Sequence, residues 1–272
     1  MSRPIFPIFV DAEQLAGQLN NQQLQIIDMC ALESYNEGHI PGALHLDYAD
    51  IVAQRPPISG LLADYKHLEE LFSRLGLRNN AHILAYDSEG SGKAARLFWT
   101  LAACGINNVS ILNGGIHAWL AGKHPLSKEK KQLSSNPFSL TPTADVIADK
   151  AYILEHLKTP DVMILDARSP EEYGGSDLRS KRGGHIPGAK NLDWSLTFDR
   201  QDLLRLKPTA TIQALLDERG FSTKKEIIVH CQTHHRSALI YAILKSLGYP
   251  RVRGYHGSWS EWGNCLETPI EK

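Results

Sequence analysis

The stretch "HCQTHHRSA", residues 230–238, gathers one cysteine, three histidines and an arginine into nine residues. A thiol among cations has three chemistries open to it: nucleophile, metal ligand, or small buried hydrophobe. The stretch follows the apolar run "EIIV" and precedes the helix-like "LIYAILKSLG". A chain turning sharply from strand to helix points backbone N–H groups inward. A helix beginning near Ser237 adds the positive end of its dipole. Both effects stabilise a thiolate and lower the pKa of Cys231. From Ile227 to Ser260 there is no Asp or Glu, while Arg236, Lys245, Arg251, Arg253 and four histidines fall in that window. The other cysteines, Cys30, Cys104 and Cys265, lie far apart with no C-x-x-C pair. They read as buried hydrophobes, with neither a disulfide framework nor a structural zinc pattern.

The elements that must position Cys231 are written twice in the chain. "GHIPGA" occurs at 38–43 and again at 184–189, preceded by "IIDMCALESYNE" and "ILDARSPEEY". "HILAYDSEG" then pairs with "EIIVHCQTH", and "GINNVSILNGGIHAW" with "GYPRVRGYHGSWSEW". Four blocks in one order, at offsets of 138 to 146 residues, imply two equivalent domains rather than a solenoid. The polar, proline-containing 127–141 reads as a linker between domains at 1–126 and 142–272. In each copy short β-branched runs alternate with helical stretches. "YKHLEELFSRLGL" and "TIQALLDERGF" carry apolar residues at helical spacing and end on Gly76 and Gly220. The fold class is therefore α/β: two domains of similar topology, each a mainly parallel sheet flanked by helices. Ligands of such sheets sit beyond the carboxyl ends of the strands, which puts Cys231 at the mouth of a site.

The first copy is an internal control. Asp87 stands where the second copy has Cys231, within "YDSEGSGKAAR". A carboxylate cannot act as a thiol and repels an anionic ligand, so domain 1–126 reads as catalytically inactive. "GSGKA" fails the spacing of a phosphate-binding loop and has Ala94 where that loop needs a hydroxyl. Over the whole chain, 29 basic and 30 acidic residues give a formal net charge of −1, no reason to expect nucleic acid or an anionic membrane as partner. No apolar run approaches the roughly 18 residues that span a bilayer, and "MSRPIFPIFVDAEQ" lacks the features of a signal peptide. The expectation is a cytoplasmic protein with no cofactor and no metal, as a monomer.

On "ESYNEGHIPGA", "EEY…GGHIPGA", "LNGGIHAW", "YHGSWSEW" and a lone cysteine in the second copy, the chain resembles the tandem-domain rhodanese sulfurtransferases over essentially its full length. "CQTHHR" is similar to the loop of bacterial thiosulfate:cyanide members. The resemblance implies Cys231 as nucleophile and persulfide carrier. Thiosulfate would be the donor, with cyanide or a thiol as acceptor and ping-pong kinetics. It implies loop N–H groups from Gln232 to Arg236 as the persulfide cradle, and Arg168, in "LDARS", as ligand for the donor's sulfonate end. Animal members carry a basic residue two positions after the cysteine; here Thr233 offers a hydroxyl and Arg236 the charge. His235 is a further candidate on the substrate side, and Trp194 and His234 are candidate pocket linings. His39 and His185, present in both copies, read as structural.

Three rivals share these residues. A persulfide carrier handing sulfur to a protein partner differs only in acceptor. A mercaptopyruvate-type enzyme would have a smaller loop without the bulky "QTHHR". A phosphatase on the same fold uses C-x5-R, whereas Cys231 and Arg236 are spaced C-x4-R, too tight for a tetrahedral phosphate, with no acid nearby to protonate a leaving alcohol. A metal held by Cys231, His234 and His235 lacks a second ligand group at recognisable spacing.

Overall fold

The computed structural model describes residues 4–130 and 135–272; residues 131–134, inside the linker expected at 127–141, lie outside the described residues. The strands in chain order are β1 Phe9–Val10, β2 Leu24–Asp28, β3 Leu44–His45, β4 Val52–Arg55, β5 Ile58–Leu62, β6 His82–Tyr86 and β7 Val109–Leu112. They continue as β8 Val162–Asp166, β9 Lys190–Asn191, β10 Phe198–Asp199, β11 Arg205–Leu206, β12 Glu226–His230 and β13 Val252–Gly254. The α-helices are α1 Ala12–Ala16, α2 Leu32–Glu37, α3 Tyr65–Arg74, α4 Gly92–Ala103, α5 Gly115–Ala121, α6 Lys150–His156, α7 Pro170–Gly174, α8 Thr209–Glu218, α9 Arg236–Ser246 and α10 Ser258–Trp262.

The chain divides into two compact units, and neither is one continuous stretch. The first comprises Met1–Ile51, Ala63–Thr143 and Asp199–Leu206; the second comprises Val52–Leu62, Ala144–Phe198 and Lys207–Lys272. The antiparallel hairpin β4–β5 thus belongs to the second unit.

In the first unit a parallel sheet runs in the order β1-β7-β6-β2-β3, and in the second β13-β12-β8-β9. Where β1 flanks β7, the described residues of the second unit show an isolated bridge, Ile147 to Gly254. Every residue of β2, β6 and β12 is buried, as expected of parallel strands covered on both faces. In α4 and α9 nearly every residue is buried, so their apolar side chains run around the whole helix rather than along a stripe. The amphipathic α3 instead buries Leu68, Leu71 and Phe72, and Gly76 follows its end at a φ of 68°.

The repeated "GHIPGA" does the same structural work twice. His39 stacks on Tyr35 with ring centroids 3.9 Å apart, and His185 on Tyr173 at 3.7 Å. Each histidine places Nδ1 against the carbonyl of the tyrosine under it, at 2.8 Å and 3.1 Å. Both tyrosines donate their hydroxyls across the turn, to the Ala43 and Ala189 carbonyls. The repeated tryptophans match as well: Trp119 and Trp262 are fully buried, and each donates its indole N–H to a proline carbonyl at 2.8 Å.

Candidate active site

The loop 231–235 leaves the carboxyl end of β12, in the middle of the second sheet, and ends in the first turn of α9. Cys231 is fully buried. Its N–H donates to Ser258 Oγ at 3.3 Å, and the Ser258 hydroxyl donates in turn to the Tyr255 carbonyl. On the outer side of the loop, Trp259 and Ser260 donate their N–H groups to the carbonyls of Cys231 and Gln232 at 2.9 and 3.0 Å. With its carbonyls held outward, the loop is free to direct N–H groups at the sulfur. His234 makes the tight turn in the left-handed region, at a φ of 55°, where the first repeat has Gly90 at 78°. A non-glycine residue there costs on the order of 1–3 kcal/mol, which its burial and an Nδ1 contact of 2.8 Å to Ser237 Oγ help to offset.

Electrostatics favour an ionised thiol. Burial pushes Cys231 up, but the Arg236 guanidinium, the Ser237 hydroxyl and the N–H groups of Ser237 and Thr233 outweigh it and hold the thiol below its ordinary range. Arg236 is fixed by Glu172, whose two carboxylate oxygens accept from its two terminal nitrogens at 2.5 and 2.8 Å. Glu172 sits at the third position of α7, locked in a reciprocal capping box with Ser169. Burial pushes its carboxyl up, and the hydrogen bonds and charge of Arg236 more than reverse this. Arg236 thus lies between the Glu172 carboxylate and the Cys231 thiol and interacts with both.

The first unit shows what such a loop is shaped to hold. Asp87 folds its carboxylate back into its own loop and accepts from the N–H groups of Glu89, Ser91 and Ala94, each at 2.9 Å. The cradle is an anion site, filled in that unit by a built-in anion.

The structure brings together most, not all, of the residues singled out by sequence. Gln232 donates its amide to Ser180 Oγ and the Arg179 carbonyl, tying the loop to the segment after α7. Thr233 is half-buried and abuts Gly60 of the β4–β5 hairpin, where a Cβ would come within 2.6 Å of Thr233 Cβ. Trp194 lies beside the loop, its ring centroid 6.1 Å from that of His235. The histidines are engaged in different places: His234 on Ser237, His235 beside Trp194, and His230 with Nε2 3.5 Å from Asp166. Arg168 is elsewhere. It is 1 % exposed, its guanidinium is paired with Asp166 at 2.6 Å, donates to the Gly184 carbonyl and stacks over Trp259. Its charge is spent inside the fold, which leaves Arg236 as the loop's own cation.

Two participants escaped the sequence reading. Glu172 is one: the S-x-x-E pattern from Ser169 marks a capping box whose acid is held in place, but not that it faces Arg236. The hairpin β4–β5 carries no signal for its position, because its contacts lie some 200 residues away, as in the Ser59–Ser260 hydrogen bonds at 2.9 and 3.2 Å.

A buried cysteine whose ionisation is favoured, in a loop at the carboxyl end of a central parallel strand, with an anion-holding loop at the matching place in the first unit, defines an α/β protein built around an anion site. The model of the rhodanese-like domain matches residues 11–122 and again 149–265, and the chain belongs to that family. It is similar to the thiosulfate sulfurtransferase of Azotobacter vinelandii, 43% identical over 97% of both chains. The thiosulfate sulfurtransferase of Pseudomonas aeruginosa is 40% identical, again over 97% of both. Among solved structures, a 3-mercaptopyruvate sulfotransferase from Escherichia coli superposes with a TM-score of 0.83 at 28% identity, covering 93% of this chain and 99% of that one.

Proposed function

We propose that the protein is a thiosulfate sulfurtransferase working through a persulfide on Cys231. The observation that carries this reading is the fully buried Cys231, held below its ordinary pKa by Arg236 and loop N–H groups, in a chain 43% identical to a thiosulfate sulfurtransferase. The Cys231 thiolate attacks the outer sulfur of thiosulfate. A bond forms between Sγ and that sulfur, the bond to the sulfonate sulfur breaks, and sulfite leaves with the electron pair. No proton moves, so no general base is needed. A thiophilic acceptor, cyanide or a thiol, then takes the outer sulfur and returns Cys231 as thiolate.

Both half-reactions bring an anion to an anion, so the site must supply compensating charge. In this reading the N–H groups of the loop and the positive end of α9 cradle the persulfide. Arg236, steadied by Glu172, takes the sulfonate end; Thr233, Gln232 and His235 form the rim, with Trp194 and His234 as wall and support. Arg168 contributes by holding Asp166 and the strand ends in place. The protein is proposed to act in the cytoplasm as a monomer, and a protein sulfur acceptor remains an alternative to a small one. Among the described residues no helix is long and apolar enough to cross a membrane.

The test is intact mass before and after thiosulfate, and again after cyanide, with Cys231→Ala alongside. The expected result is a gain of one sulfur atom, removed by cyanide and absent from the variant. A gain from mercaptopyruvate but not from thiosulfate would keep the chemistry and overturn the donor. No gain from either would end the sulfurtransferase reading.

A further inference from the structure

The two repeats treat one position in opposite ways. In the second unit Arg168 fills the space beyond β8: its guanidinium lies on Asp166, donates to the Gly184 carbonyl at 2.8 Å and stacks 4.3 Å from the Trp259 ring centre. Aligned on the repeated blocks, Asp28 stands for Asp166, Cys30 for Arg168, Gly38 for Gly184 and Ile116 for Trp259. The first repeat has kept the carboxylate and the glycine but has lost the guanidinium and the indole beneath it. In their place is a cleft of about 300 Å³ lined by Asp28, Cys30, Gly38 and Ile116, with Leu120 and Leu126 on its apolar side.

Asp28 is 1 % exposed and accepts from the Cys30 N–H at 2.7 Å and from the Tyr86 hydroxyl. Among the described residues no basic side chain forms a salt bridge with it, whereas Asp166 has Arg168 and His230. A buried carboxylate lacking a cation is costly unless something pairs with it. Cys30 bonds to it only as a neutral donor: burial, then the Asp28 charge and the thiol's hydrogen bond to Asp28, push that thiol up, so no positive charge meets the carboxylate. Glu37 adds a second negative charge to the lining. His117 also lines the cleft, with Nε2 3.1 Å from the Ser88 carbonyl. Leu120 and Leu126 are 48 % and 44 % exposed and offer a short alkyl chain somewhere to lie.

We propose that this cleft binds a small alkylguanidinium, its planar head on Asp28 as the Arg168 guanidinium sits on Asp166, its short chain against Ile116, Leu120 and Leu126. A planar fork of donors matches a carboxylate and a neighbouring carbonyl better than a point charge does. The site is independent of Cys231 and of the sulfur-transfer reading.

The experiment is calorimetric titration of the full chain with n-butylguanidinium, and with neutral n-butylurea of the same shape. Saturable binding of the cation and none of the urea is expected. Cys30→Arg, which supplies the guanidinium from within, should weaken binding about tenfold or more, and Asp28→Asn should do the same. No saturable binding by the wild-type protein, equal binding of the urea, or undiminished binding by Cys30→Arg would each overturn the proposal. The comparison of cation with urea needs no variant, so it stands even if Asp28→Asn fails to fold.

Discussion

A thiol sealed from water ordinarily resists ionisation, and at Cys231 burial does act in that direction; the nearby guanidinium, hydroxyl and N–H groups reverse it. The thiolate is therefore more populated at a given pH than in an ordinary cysteine and is lost as pH falls through the depressed value. Titrating thiolate absorbance as the difference between wild type and Cys231→Ser should give a midpoint below the ~8.5 of a free cysteine. Arg236→Ala should raise that midpoint, since the guanidinium is the largest of the influences that lower it. An unchanged midpoint in the variant would remove Arg236 as the source of the shift. Glu172 acts one step further back. Glu172→Gln frees Arg236 from its bidentate hold, and kcat/KM with thiosulfate should fall about tenfold or more. Stability should fall by about 2–3 kcal/mol, less than for a fully sealed pair because the Arg236 side chain keeps 18% exposure. Stability loss with intact turnover would make Glu172 structural only. Cys231 and Arg236 were legible from residue type and spacing alone. Glu172 was not, since its partner lies 64 residues away and an acid at the third position of a helix ordinarily serves the helix.

At the scale of elements, the strands and the longer helices were readable because each obeys a local rule. Short runs rich in branched apolar residues, Leu24–Asp28 and His82–Tyr86 among them, became buried parallel strands, and helical stripes ending in glycine became α3 and α8. The β4–β5 hairpin obeys no such rule in its placement. Gly60 adopts a φ of 77° and lets the hairpin backbone meet Thr233, while Leu62 donates its N–H to His256 Nδ1 at 2.9 Å. Gly60→Ala both strains the backbone of β5 and pushes on the loop. A loss of about 1–3 kcal/mol in denaturant unfolding should accompany reduced thiosulfate turnover. Wild-type values for both would show that the hairpin does not bear on the loop.

For the molecule as a whole, acid sensitivity follows from histidines buried in both units. Burial lowers the pKa of His82, partly opposed by its bond to Asn108, and lowers that of His230, partly opposed by Asp166. The unfolded chain then binds protons that the folded one refuses, so stability declines as pH falls below about 6.5, by up to about 1.4 kcal/mol per pH unit for each histidine. Asp166 and Glu172, both held below their ordinary range despite burial, add a second loss below about pH 4. Unfolding midpoints measured from pH 8 to 5 should drop, and His82→Gln should flatten the decline; a flat profile in the wild-type protein would refute the assignment. The sequence by itself determined the duplication, the α/β class and the thiol at a strand end. Those rest on local periodicity and on comparing one half of the chain with the other. Only the tertiary structure decided that Arg168 is consumed by Asp166 and Trp259, that Glu172 steadies Arg236, and that the unit holding Cys231 includes residues 52–62. The pairing of a charge is settled by which groups burial brings within hydrogen-bond reach, and that distance is written in no stretch of the chain shorter than the fold.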